Sequence, residues 1–165
     1  MVVIARVSQD VSLVGSRFHI LFVDDDPNDR ELFRLAIRRV ALDTSVHTAV
    51  DGSEAIAYLE GAGLYADRGR YPLPDLVIID LKMPLVNGFE FLAWRRASAK
   101  FASLPTVVLS GSGRGEDVQQ AWAMGATHYL TKPNSLEDLA RVLRGTVSHW
   151  TGVAGGETSG ETSPR

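Results

Sequence analysis

A chain of 165 residues, 45% hydrophobic and 22% charged, has the size and composition of one soluble α/β domain with a full core and little to spare. A net charge of −3 gives no electrostatic footprint for nucleic acid, and the lack of cysteine excludes disulfides, thiolate metal sites and a cysteine nucleophile. No apolar run approaches membrane-spanning length, and M-V-V-I-A-R-V-S-Q-D is too polar and interrupted for a signal peptide, so the expected location is the cytoplasm.

Residues 1–16 mix Val with Ser, Gln, Asp and Gly without a period and read as a flexible arm before a domain at 17–150. A first strand spans 18–23 and runs into Asp24, Asp25 and Asp26. Asp26-Pro27 has the form of an N-cap with proline at the first helical position, where its missing N–H costs nothing. The helix that follows, to about Val40, places Leu32, Phe33, Ala36, Ile37 and Val40 on one stripe, with acids in its first turn and Arg38-Arg39 in its last. A second strand is predicted at 45–50, then the Asp51-Gly52-Ser53 turn and a helix ending near Gly61. Segment 61–74 is long and rich in breakers, which suits either a family-specific insertion or a partner surface.

The third strand, 75–80, ends at Asp80, and L-K-M-P-L-V-N-G leads into a helix over about 88–99. Strand four is expected at 105–109, with Ser110 following and Gly111-Ser112-Gly113 opening a flexible loop. A helix at 116–124 stops at Gly125. Strand five, 127–131, delivers Lys132. The last helix starts at Ser135, with Asp138 in a capping-box position and Leu136, Leu139, Leu143 and Val147 facing inward. Residues 151–165 are disordered by composition. Short apolar strands alternating with helices predict a doubly wound (βα)₅, flavodoxin-like three-layer sandwich with a parallel sheet ordered 2-1-3-4-5.

Taken singly, the polar residues at the strand ends are weak signals. An Asp triplet before a helix is usually capping plus solvated charge, a Ser after a strand often caps a turn, and Gly88 is an ordinary turn glycine. Together they are more specific, because Asp24, Asp25, Asp80, Ser110 and Lys132 all fall at carboxyl ends of strands, where ligands bind in such sheets. Paired carboxylates ~4 Å apart repel by about 4 kcal/mol at an effective dielectric of 20, so without a cation one should have a raised pKa. A hard divalent ion such as Mg²⁺ relieves that repulsion.

The runs V-D-D-D-P, I-I-D-L-K-M-P-L-V-N-G, V-V-L-S-G and Y-L-T-K-P-N resemble the receiver domain of two-component response regulators over about 18–150, and look most like the stand-alone regulators paired with bacterial phytochromes. The resemblance implies that Asp80 is the phosphoacceptor, and that Asp24, Asp25 and Asp80 hold Mg²⁺ together with the backbone carbonyl of Lys82. It further implies that Lys132 pairs with a phosphoryl oxygen through a cis Lys132-Pro133 bond, and that Ser110 donates to another oxygen. Tyr129 matches the aromatic switch position; the alternative is a half-buried core tyrosine with its hydroxyl in water. The output face would be the fourth helix, fifth strand and fifth helix, with Trp122 and His128 as candidate anchors. The implied partners are a sensor histidine kinase or phosphotransfer protein and a downstream protein, with a homodimer left open. The implied chemistry is self-catalysed phosphorylation and dephosphorylation rather than enzymatic turnover.

Two features depart from the commoner pattern: Lys82 puts a positive charge two residues after Asp80, and Ser110 stands where threonine is usual. A haloacid-dehalogenase-type phosphatase would need a second Asp at position 82, and a flavin protein would need a Gly- or Ser/Thr-rich loop where V-D-D-D-P stands. A phosphorylation-independent domain of the same fold is the remaining alternative, although such domains usually lose an acidic or lysine position. His19, His47, His128 and His149 have no metal-ligand spacing and read as structural or surface residues.

Overall fold

The computed structural model describes residues 17–40 and 43–152, so the arm at 1–16 and all of the tail except Thr151 and Gly152 lie outside the described residues. Strands β1 (Phe18–Val23), β2 (Thr44–Ala49), β3 (Leu76–Ile79), β4 (Thr106–Ser110) and β5 (His128–Thr131) form one parallel sheet in the order β2-β1-β3-β4-β5. The helices are α1 (Pro27–Arg39), α2 (Gly52–Glu60), α3 (Gly88–Ala97), α4 (Gly115–Ala123) and α5 (Leu136–Thr151). The (βα)₅ doubly wound topology is the one the alternating pattern predicts.

Side chains on a strand alternate between faces, and that period builds two cores. Ile20, Phe22, Leu76, Ile78, Val107 and Leu109 pack with Phe33, Ile37, Leu139, Leu143 and Val147 from α1 and α5. Leu21, Val23, Val77, Ile79 and Val108 pack on the other face with residues of α2, α3 and α4. The inner strands β3 and β4 are buried throughout, whereas the edge strands β2 and β5 are largely half-exposed. That contrast explains why β3 and β4 read as continuous apolar runs.

Element ends follow from local hydrogen bonding. Asp26 caps α1 by accepting from the Asn28 N–H at 2.8 Å. Strand β2 ends at Ala49, one residue short of the sequence expectation, because the Val50 N–H donates to the Glu54 carboxylate at 2.7 Å instead of extending the ladder. Strand β4 begins at Thr106, since Pro105 has no N–H, and it includes Ser110, whose carbonyl accepts from the Lys132 N–H at 2.8 Å. Asn87 and Glu90 form a two-way capping box on α3. At Ser135 only the forward half of the predicted box is present, with the side chain accepting from the Asp138 N–H.

The 61–74 segment is packed against the domain through its own residues. It contains a single 3₁₀ turn (Gly63–Ala66), and its Tyr65 and Tyr71 rings pack on Tyr58 of α2 and on each other at centroid distances of 5.0–6.0 Å. Arg68 donates to the carbonyls of Tyr58, Leu59 and Tyr71, supplying partners for the open end of α2. Tyr58 donates to the Pro72 carbonyl, and burial pushes its phenol up to about 12.

Candidate functional site

The register of the sheet makes Asp24 and Asp80 neighbours. Val23 pairs with Ile79, and the Asp80 N–H donates to the Val23 carbonyl at 3.0 Å, so the next residue of each strand leaves the same edge side by side. Both are buried, at 0% and 7% exposure, while Asp25 is exposed above them. One carboxylate oxygen from each of Asp24, Asp25 and Asp80 lies within 4.8 Å of the others. Three hard oxygen donors converging in this way fit a divalent cation that keeps part of its water shell.

Lys132 reaches into the same cluster from the end of β5. Its Nζ donates to Asp24 Oδ2 at 2.7 Å, to Asp29 Oδ2 at 2.8 Å and to Asp80 Oδ2 at 3.1 Å, so each ammonium proton has a carboxylate acceptor. Burial works against this charge, but the bonds to Asp24 and Asp29 and the charge of Asp80 outweigh it and raise the lysine pKa. The Lys132-Pro133 peptide is trans, contrary to the cis bond the resemblance implies; there is no cis bond among the described residues. Trans is the cheaper isomer by about 0.5–1 kcal/mol, and the lysine attains the carboxylates without a reversal of the chain.

The expectation that one carboxyl is raised holds for Asp24, although burial is the leading cause and the charge of Asp80 a minor one. The hydrogen bonds from Lys132 and from the Asp26 N–H pull the other way. Asp80 Oδ1 accepts from the Leu81 N–H at 2.7 Å, which fixes the carboxylate plane at the start of the loop into α3.

That loop is closed by Gly88, which the sequence reading passes over as an ordinary turn residue. The Gly88 N–H donates to the Leu81 carbonyl at 3.0 Å, and a Cβ at this position would sit 2.4 Å from the Asp80 carbonyl oxygen and 2.8 Å from Leu81 Cα. Lys82 lies within the loop with its side chain exposed. At the tip, Leu85 adopts φ 62° and is 82% exposed, an uncommon conformation for a branched residue.

Ser110 closes the other side of the rim, 1% exposed, with its hydroxyl oxygen accepting from the Ser112 N–H at 3.2 Å. Ser112 also accepts from the Tyr129 hydroxyl through its carbonyl at 2.6 Å and bonds Asp117 of α4 through its own hydroxyl. Tyr129 is half-buried, as the bland alternative expects, but its hydroxyl is bound to the protein. On the α4–β5–α5 face, Trp122 is 48% exposed and stands edge-on to His128, which also meets His149 and Trp150.

Two polar residues of α1 belong to the site and are missed by the sequence reading. Asp29 contacts Lys132, and Arg30 donates to the Asp24 carbonyl at 2.7 Å. In sequence both look like ordinary first-turn residues of a solvated helix, and no pattern marks them as reaching back over the sheet edge.

Comparison with known proteins gives a consistent result. The family model for the response regulator receiver domain matches residues 20–144. The probable methanogenesis regulatory protein FilR2 of Methanothrix harundinacea is 33% identical over 145 residues, spanning 88% of this chain and 91% of that protein. The solved structure of a phosphorylated cyanobacterial phytochrome response regulator, RcpA, aligns with a TM-score of 0.76 at 31% identity, covering 85% of this chain and 98% of that one. The Mn²⁺-bound form of the response regulator Rcp1 aligns with a TM-score of 0.72 at 29% identity, covering 86% and 99% respectively. Among the described residues no helix is long and apolar enough to cross a membrane.

Proposed function

Since the chain belongs to the response regulator receiver domain family, we propose that it accepts a phosphoryl group on Asp80 from a sensor histidine kinase or phosphotransfer protein. The observation that carries this reading is the meeting of Asp24, Asp25 and Asp80 within 4.8 Å beside the Lys132 ammonium. Further support comes from the phosphorylated state of RcpA and the Mn²⁺-bound state of Rcp1, as those proteins are described.

In this reading Asp24, Asp25, Asp80 and the Lys82 carbonyl hold Mg²⁺, which when bound offsets the charge of the carboxylates and the phosphoryl oxygens. An Asp80 carboxylate oxygen attacks phosphorus, forming an acyl phosphate. The P–N bond of a phosphohistidine, or the P–O bond of a small acyl phosphate, breaks with its electron pair leaving on the donor. Lys132 pairs with one phosphoryl oxygen and the Ser110 hydroxyl donates to another. Water attack on phosphorus later releases inorganic phosphate and restores the carboxylate, so the protein resets itself without acting as a turnover enzyme.

The output in this reading runs through Ser112. As Ser110 turns toward the phosphoryl group, the Ser112 N–H loses its acceptor, and the Tyr129 hydroxyl loses a fixed partner as the loop moves. Tyr129 then reorients beneath α4, and the α4–β5–α5 face carrying Trp122 and His128 changes shape for a downstream protein or a second copy of the chain. The setting is cytoplasmic, where histidine kinases deliver phosphate. The test is borohydride trapping after incubation with acetyl phosphate and Mg²⁺. Reduction of the acyl phosphate to homoserine at position 80, found by peptide mapping, supports the assignment; homoserine at another position, or none, contradicts it.

A further inference from the structure

Asp29 stands at the third position of α1, where an acidic side chain usually reaches back to the N-cap backbone N–H. Here that N–H, on Asp26, already donates to Asp24 Oδ1 at 3.0 Å. Asp29 is thus released from capping, and its carboxylate takes the Lys132 ammonium at 2.8 Å instead. Among the described residues it is also the one acceptor of Lys132 outside the convergent carboxylate set of Asp24, Asp25 and Asp80. Behind the pair lies a small cavity of about 30 Å³ whose other walls, including Phe22, Leu32, Phe33 and Leu109, are apolar. Among the described residues lining that side, Asp29 offers the ammonium its one polar side-chain partner.

We propose that Asp29 is a positioning residue: it retains Lys132 when a divalent cation takes Asp24 and Asp80, and so keeps the ammonium at the rim for an arriving phosphoryl oxygen. This inference rests on the reading of Asp24, Asp25 and Asp80 as the cation site. With no cation bound, Lys132 is the positive charge held by Asp24 and Asp80, and cation binding must displace it. Asp29 lowers the cost of that displacement, because the ammonium moves between carboxylates instead of into water. The residue aids binding through Lys132, without touching the cation.

The test is Mn²⁺ binding to the full chain, measured from the free-ion signal in electron paramagnetic resonance, in a double-mutant cycle of Asp29→Asn with Lys132→Met. In the Lys132 background, Asp29→Asn is expected to weaken binding on the order of three- to tenfold, the scale of one charge pair at a partly screened rim. In the Lys132→Met background it should change binding little, because the displaced ammonium is gone. An equal loss in both backgrounds would overturn the proposal in favour of plain charge attraction by Asp29, and no loss in the Lys132 background would overturn it outright. Wild-type binding that is absent, or unaffected by Asp80→Asn, would instead bring down the reading of the cation site itself. Should Lys132→Met not fold, the ¹⁵N resonance of the Lys132 ammonium decides. Slow proton exchange in the Mg²⁺-loaded wild type, lost in Asp29→Asn and recovered in Asp29→Glu, is the expected pattern; equally fast exchange in all three contradicts it.

Discussion

The hydroxyl of Tyr129 donates to the carbonyl of Ser112 at 2.6 Å, and the N–H of the same Ser112 donates to the Ser110 hydroxyl. One residue of the β4–α4 loop therefore ties the end of the inner strand β4 to the aromatic ring on the edge strand β5. Tyr129→Phe removes a neutral hydrogen bond at a half-buried site and should cost about 1 kcal/mol of stability. It should also raise amide exchange in residues 111–114 without altering exchange in β1 or β3. Unchanged exchange in the loop would show that the tyrosine does not restrain it.

Gly88→Ala probes how tightly the loop after Asp80 is closed. The added methyl would lie 2.4 Å from a backbone oxygen, which no side-chain rotation relieves. We expect a loss of about 1–3 kcal/mol in urea unfolding, together with weakened divalent-cation binding as the Asp80 backbone moves. A variant that binds the cation like the wild type would mean the loop shifts without carrying Asp80 with it.

The raised pKa of Asp24 gives a pH dependence of definite sign. The folded protein holds this proton more tightly than the unfolded chain, whose value is near 3.8. Asp24 therefore favours folding in acid, and its contribution is lost as pH rises from the unfolded value through the higher folded one. Denaturant midpoints of wild type and Asp24→Asn, compared between pH 4 and pH 7 without divalent ions, should show the wild type losing ground to the variant as pH rises. Parallel curves would contradict a raised Asp24.

Arg68→Ala separates the 61–74 segment from the phosphoryl site. The guanidinium donates to three carbonyls, at the end of α2 and within the segment. Its loss should destabilise the domain by about 1–3 kcal/mol. The rate of phosphorylation by acetyl phosphate, measured at a temperature where the variant is folded, should stay at the wild-type value. A large fall in that rate would tie the segment to the chemistry.

The topology was legible because each buried strand advertises itself as an apolar run ended by a polar residue, and the period of two distributes those runs between two cores. Asp24, Asp25, Asp80, Ser110 and Lys132 were legible for the same reason: each is the last residue of a strand or lies one or two residues beyond it. Asp29 and Gly88 were not. What Asp29 contacts depends on where the Asp26 N–H has already gone, and the demand on Gly88 arises from a chain segment folding back on Asp80, which no spacing reveals. The packing of the 61–74 segment was hidden too, since its tyrosines and Arg68 find partners on α2 that composition alone does not identify.

The central claim is that Asp80 is phosphorylated in a cation-dependent way, and intact mass spectrometry after incubation with acetyl phosphate and Mg²⁺ tests it most directly. The account predicts one added phosphoryl group on the wild type, absent from Asp80→Asn and absent when Mg²⁺ is chelated. A wild-type protein that is folded yet gains no phosphoryl mass, or an Asp80→Asn variant that gains the same mass at the same rate, would contradict it.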